Sequence, residues 1–297
     1  GRPPGMRAVI GLQPEAGRAE RFAAAELGRY LTRMTRRHWP VETDPPPDRP
    51  GVRLCLEPAD ARTSRSDTEA DSFRLCVREA HRVEIAAGSP RALVYGVYAL
   101  LERLGCRFLA PGPENEIVPR RSRQEIFRLP SVREQPAFAV RGVYFHAPIG
   151  PGHLAIVDWL AKNRFNTVTN TAFAWDKITA ADQRRFIDAM KDRGLIWAFG
   201  HHSYEYFLRR GRGASTRMDP HAWRQDQGEY RWCPQNPRKV AELQVGIEDF
   251  LKAFPECDGI NLWPNDGAGA AQCRCPACEP IYWNNTFFVL PALTGVR

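Results

Sequence analysis

No apolar run in this chain approaches the ~20 residues that a membrane-crossing helix needs, so no spanning segment is expected. The opening Gly-Arg-Pro-Pro-Gly also lacks the apolar core of a signal peptide, and the chain as given is expected to be soluble. Because the sequence does not begin with Met, this says little about what precedes it. A basic stripe is missing too. The 42 Lys and Arg exceed the 34 Asp and Glu, but the excess is carried mostly by arginines scattered along the chain. With no basic helix face and no aromatics spaced along a strand platform, nucleic acid is not an expected partner. No cysteine has an evident base beside it, which argues against thiol catalysis.

What is present points to two globular domains. The 297 residues are 43% hydrophobic, enough for a conventional core. Residues 1–130 read as alternating elements: a strand at Val9 to Leu12, a helix at Ala19 to Met34, and a strand at Val52 to Leu56. An antiparallel pair follows at Phe73 to Val77 and Val83 to Ala86. Ser89-Pro90 opens a helix whose buried stripe is Leu93, Val97, Leu100, Leu101 and Leu104. The charged, proline-bounded segment from Arg120 to Pro136 is the predicted boundary.

Residues 137–297 change rhythm. Short apolar runs at Val140 to Phe145, Thr167 to Asn170, Leu195 to Gly200 and Ile260 to Trp263 suit strands buried on both faces. Helical stretches separate them at His153 to Asn163, Ala180 to Arg193 and Pro237 to Phe254. The pattern predicts a small α+β leader domain followed by the first half of a TIM (β/α)8 barrel, about four βα units, truncated at the C-terminus, with a third-loop insertion at Tyr204 to Pro234. A doubly wound sheet is the alternative, but no glycine-rich phosphate turn follows the first strand. A half barrel would leave the edges of strands one and four unpaired, so self-association is expected.

In such a barrel the working face lies at the carboxyl ends of the strands. Strand one ends in Tyr144, Phe145 and His146, strand two in Asn170, and strand three in His201 and His202, with Tyr204 and Glu205 beyond. Strand four ends in Trp263, Asn265 and Asp266. Aromatic faces beside amides and carboxylates suit a sugar, which offers C–H groups to stack and hydroxyls to hydrogen-bond. His201 and His202 would point opposite ways on a strand, so only one would face the site. Asp266, in Trp-Pro-Asn-Asp-Gly, could act as an acid if an apolar wall such as Trp263 raised its pKa, although Asn-Asp-Gly also makes an ordinary turn. Glycoside hydrolysis needs a second carboxyl group; Glu205 is a poor candidate and the partner could lie on a later strand.

Cys55, Cys76, Cys106 and Cys257 are dispersed in apolar surroundings and read as buried thiols. Cys273-Arg-Cys275-Pro-Ala-Cys278, with Cys233 upstream, could hold a structural zinc or form a disulfide, and the spacing leaves both open. No catalytic cofactor is implied.

The segment Ser89 to Gly112, Ser-Pro-Arg-Ala-Leu-Val-Tyr-Gly-Val-Tyr-Ala-Leu-Leu-Glu-Arg-Leu-Gly-Cys-Arg-Phe-Leu-Ala-Pro-Gly, resembles the leader signature that precedes the barrel in α-glucuronidases of glycoside hydrolase family 67 and β-hexosaminidases of family 20. Together with His201-His202-Ser-Tyr, Trp232-Cys-Pro-Gln-Asn-Pro, Trp263-Pro-Asn-Asp-Gly and the Cys-x-Cys-x-x-Cys cluster, it more closely resembles a bacterial family known only as domain of unknown function 4838. The resemblance implies a secreted or periplasmic protein acting on glycans. Family 20 has an Arg-Gly whose arginine holds sugar hydroxyls, and Arg141-Gly142 occupies the corresponding place, which makes Arg141 a binding candidate. That family places Asp-Glu after strand four, where this chain has Asn265-Asp266.

Three functions are therefore expected in order. The first is a glycoside hydrolase with Asp266 as acid and Arg141, His146, His201, His202, Tyr204, Trp263 and Asn265 as sugar binders. The second is a glycan-binding protein on a degenerate barrel, and the third a metal-dependent hydrolase with an open metal position near His146 and His202.

Overall fold

The structure is a computed structural model and describes residues 7–57, 67–78, 81–146, 149–201, 203, 206–207, 210 and 237–262. The strands are β1 (Val9–Leu12), β2 (Val41–Thr43), β3 (Gly51–Leu56), β4 (Phe73–Arg78), β5 (Arg82–Ala87), β6 (Arg107–Phe108), β7 (Glu116–Ile117), β8 (Val132–Glu134), β9 (Gly142–Phe145), β10 (Thr167–Thr171), β11 (Ile196–Gly200) and β12 (Gly259–Asn261). The helices are α1 (Arg18–Thr35), α2 (Asp67–Ala70), α3 (Pro90–Arg103), α4 (Arg123–Ile126), α5 (Pro151–Lys162), α6 (Ala172–Trp175), α7 (Ala180–Asp192) and α8 (Pro237–Ala253). The chain divides into two compact units. One comprises the chain up to Gly142 with Pro151–Thr167 and Asp188–Leu195; the other comprises Val143–Gly150, Val168–Ile187 and the chain from Ile196.

In the first unit, six strands form one sheet in the order β2-β1-β3-β5-β4-β8. β1 is parallel to β2 and β3, and β3 to β5, whereas β4 is antiparallel to β5 and β8. Strand periodicity gives the sheet one apolar face, with Phe73, Leu75, Val83 and Ile85 buried, and one face carrying Arg74, Cys76, Arg82 and Glu84. α3 covers the apolar face. Ser89 caps it by accepting from the Ala92 amide at 3.2 Å, and Pro90 takes the first turn. Every residue from Ala92 to Leu101 is buried, so the helix is enclosed all round instead of along one stripe. The reason is that α1 and α5 pack on its other sides. Gly96 permits the close approach, since a Cβ there would lie 2.4 Å from Ile85 Cγ2.

Segment 120–136, charged and proline-bounded in the sequence, carries α4 and β8, and β8 extends the leader sheet through Phe73↔Glu134 and Leu75↔Val132. α5 is tied to the same unit. Lys162, whose side chain is 4% exposed, donates to Glu116 at 2.6 Å and also meets Asp158. Tyr30 OH donates to the same Glu116 oxygen, Oε1, at 2.8 Å, and Arg193 reaches Asp158 at 2.7 Å. Of the dispersed cysteines, Cys106 is fully buried, and burial raises its thiol pKa to about 11; Cys55, Cys76 and Cys257 are half-buried.

In the second unit, the strand order β12-β11-β10-β9 follows the chain order. β11 and β12 are parallel, with Ala198↔Gly259, Phe199↔Ile260 and Gly200↔Asn261 in register. Trp197 and Phe199 point to one face, where they meet an aromatic layer from the helices. Phe199 stacks on Phe250 of α8 at 4.1 Å, and Trp175 at the end of α6 lies 5.3 Å from Trp197. Asp258 fixes the entry of both strands: its Oδ2 accepts from the Trp197 amide at 2.7 Å, and its own amide donates to Trp197 O at 2.9 Å.

Candidate functional site

The carboxyl ends of β9 to β11 bring three of the sequence candidates together. Alternation along β9 sends Phe145 to the helix layer, where it packs 6.3 Å from Phe186, and leaves Tyr144 on the opposite face. There the Tyr144 ring lies 4.5 Å from His201 at an interplanar angle of 36°, and 5.7 Å from His146 at 87°. His146 and His201 are themselves 5.6 Å apart. Residues 57 positions apart in sequence thus form one ring cluster at the strand ends. Burial raises the pKa of the Tyr144 hydroxyl, while Thr171 of β10 acts in the opposite direction. Tyr144 keeps 36% of its surface exposed, enough to offer a ring and a hydroxyl to a ligand.

The turn after β11 explains how His201 is held. Gly200 has φ 151° and a Cβ there would lie 1.8 Å from Asn261 O, so only glycine fits. His201 follows at φ 58°, in the left-handed region that few non-glycine residues occupy. Two donors converge on the Asn261 carbonyl: the His201 amide at 3.0 Å and Ser203 Oγ at 2.9 Å. A non-glycine residue in this conformation persists where its surroundings over-determine it, a pattern that concentrates at ligand sites.

Two candidates take other places. Asn170 is buried on the helix-facing side of β10, where its Oδ1 accepts from Trp197 Nε1 at 2.5 Å. Expecting it among the ligand-facing polar residues overlooked the pleat, which turns Asn170 away from Thr171. Arg141 stands at the amino end of β9, immediately before the strand. Its Nη2 donates to Asp71 Oδ2 at 2.7 Å, its Nε to Arg164 O at 2.8 Å and its Nη1 to Phe138 O at 2.6 Å. In this geometry the guanidinium holds the protein's own groups.

His202, Tyr204, Glu205, Trp263, Asn265 and Asp266 lie outside the described residues, as do Cys233, Cys273, Cys275 and Cys278. Among the described residues, no group of three or more His, Cys, Asp or Glu side chains could hold a metal ion. A carboxylate missed in the sequence does emerge. Asp176 follows α6 on the carboxyl side of β10, and burial raises its pKa against the opposing effects of Arg210 and Tyr206. Tyr206 OH donates to it at 3.4 Å, and Arg210 donates to the same hydroxyl at 3.0 Å. The signal available was its position five residues beyond the strand end, which does not separate it from an ordinary loop aspartate.

No family model matches the chain, and no curated protein matches it. Solved structures do match. A GH20 β-N-acetylhexosaminidase from Streptomyces coelicolor A3(2) superposes with a TM-score of 0.57 at 15% identity, over 97% of this chain and 60% of that one. The N-acetyl-β-hexosaminidase of Streptomyces plicatus gives 0.57 at 14% identity over 98% and 60%. A GH138 enzyme targeting pectin rhamnogalacturonan II gives 0.53 at 11% identity over 86% and 30%. This chain therefore spans about a third to three-fifths of the length of these structures. Their likeness establishes a shared mixed α/β fold of the kind found in glycoside hydrolases. No helix among the described residues is long and apolar enough to cross a membrane.

Proposed function

We propose that this chain is the leader domain and first four βα units of a glycoside hydrolase barrel that acts on a complex glycan. The observation that carries the reading is the Tyr144–His201 ring pair with His146, set at the carboxyl ends of strands whose spatial order follows their sequence order. Rings that present a flat face beside hydroxyl and imidazole groups suit a pyranose. The shared fold with hexosaminidases and a pectin-targeting enzyme supports the same reading.

On this proposal Asp266, five residues beyond Asn261, acts as the acid, with Trp263 as stacking wall and Asn265, His202 and Tyr204 as further binders. Asp176, on the carboxyl side of β10, has a raised pKa that suits proton donation, so it is an alternative acid to Asp266 and not the ionised second carboxylate that hydrolysis also needs. Arg141 would bind sugar only by giving up Asp71 and its carbonyl partners. Cys233, Cys273, Cys275 and Cys278 would form a structural zinc site or a disulfide, pinning the third loop to the fourth. The motifs quoted above are the ground for proposing membership of domain of unknown function 4838 and a secreted or periplasmic location.

The Asn265-Asp266 pair, where family 20 has Asp-Glu, keeps a second reading: a glycan-binding protein that has lost acid–base chemistry. Hydrolysis of aryl glycosides by the longer parent protein, beside its Asp266→Asn variant, separates the two. Turnover lost in the variant supports the hydrolase, and glycan binding without turnover in either supports the binding protein.

A further inference from the structure

The face of the leader sheet opposite α3 carries charge that its own partners do not balance. Register places Arg74 of β4 between Ala86 of β5 and Arg133 of β8, all on that face. Like charges directly opposite across a strand pair are destabilising unless something lies between them. Arg74 is partly satisfied: its Nε donates to Glu57 at 2.8 Å, and its Nη2 lies 3.6 Å from Glu84, which also pairs with Arg78 at 3.2 Å. Among the described residues the Arg133 guanidinium has no ion pair or hydrogen bond, and Arg133 is exposed. Further along the same face Arg53 and Arg82 are turned onto the carbonyls of Pro45, Pro46 and Pro47, so the proline-rich loop covers that part of the sheet. Among the described residues, no such loop covers the Arg74–Arg133 end.

A pocket of about 310 Å³ lies at this end, lined by Glu57, Ser72, Phe73, Arg74, Ala86 and Arg133. That volume is at the lower end of small-ligand pockets. The chemistry is mixed in a definite way. Two guanidiniums can grip one carboxylate bidentately, while the Glu57 carboxylate and the Ser72 hydroxyl, which donates to Glu69 O at 2.7 Å and keeps its lone pairs, can accept from hydroxyl groups. Inorganic anions would use only the first half of this set.

We infer that this pocket is an accessory site for a carboxylate-bearing sugar, the carboxylate lying between Arg74 and Arg133 and ring hydroxyls directed at Glu57 and Ser72. The site is independent of the chemistry proposed for Asp266. It would hold an acidic glycan on the leader domain.

The test is calorimetric titration of the 297-residue chain with D-glucuronate, D-galacturonate, D-glucose and acetate at low ionic strength. The expected result is binding of at least one of the two sugar acids, no measurable binding of glucose, and acetate at least tenfold weaker than that acid. Arg133→Gln, on an exposed edge strand, should weaken the acid at least tenfold, while Arg37→Gln, an exposed arginine elsewhere in the leader, should not. Binding of glucose as tight as that of the acids, acetate binding as tight as theirs, an unaffected Arg133→Gln variant, or no binding of either acid at millimolar concentration would each overturn the inference.

Discussion

Arg141 donates to the carboxylate of Asp71 at 2.7 Å, and Asp71 has no exposed side-chain surface. The same carboxylate accepts from Arg91 at 2.7 Å and from Asn166 Nδ2 at 3.2 Å, so one buried anion organises three donors. Removing one partner of a buried ion pair strands the others, at a cost of about 3–5 kcal/mol. Asp71→Ala is therefore expected to lower the unfolding free energy by about that much in urea titration, and Asp71→Asn by less. A loss under about 1 kcal/mol for the alanine variant would show that Arg91 and Arg141 find other partners.

Acid should weaken the protein through Glu116 and Asp158. Burial alone would raise both carboxyl groups, but it is outweighed at Glu116 by Lys162 together with Tyr30 and at Asp158 by Arg193 together with Lys162, and each is held below its ordinary value. A carboxylate depressed in the folded state stabilises it above its unfolded pKa, and that contribution is lost as pH falls through the folded value. Thermal midpoints should be level from pH 7 to about 5 and fall below about 4. Lys162→Met should flatten part of that fall and cost about 3 kcal/mol at pH 7. An acid limb identical in the variant and the parent sequence would contradict the assignment.

Much of the fold was legible because periodicity is local. β1 occupies the predicted Val9 to Leu12, and α7 begins at the predicted Ala180. β8 was not legible, because Val132–Glu134 sits among prolines and charges and is a strand only by pairing with β4. The encirclement of α3 was equally hidden: Tyr95 and Tyr98 look like an outer polar edge until Phe165 O accepts from the Tyr95 hydroxyl and Glu26 of α1 from the Tyr98 hydroxyl. At the site, Tyr144, His146 and His201 could be nominated from strand-end position. Asn170 could not be placed correctly, since a one-residue difference in the pleat decides whether it meets ligand or Trp197.

That Trp197–Asn170 bond is itself testable. Trp197→Phe keeps most of the aromatic layer but leaves Asn170 Oδ1 without its donor, a loss of about 1–3 kcal/mol for a buried acceptor. Chemical denaturation checks it. No change beyond about 0.5 kcal/mol would mean that the asparagine turns to another donor.

Phe138 and Val140 precede β9 and are 73% and 72% exposed, and β9 is an outer strand of its sheet among the described residues. Isolated at 297 residues, the chain should self-associate through such surface. Sedimentation velocity should show a concentration-dependent oligomer that Phe138→Ser with Val140→Ser reduces. A monomer at all concentrations would count against an open four-strand sheet.

The proposed glycan site rests on the rings at the strand ends, and the most direct test is calorimetric binding of neutral glycan oligomers to the parent protein and to a Tyr144→Ala, His201→Ala double variant. The account predicts that binding falls at least tenfold in the double variant and is unchanged by Arg133→Gln. Neutral oligomers that bind the double variant as tightly as the parent protein would contradict it.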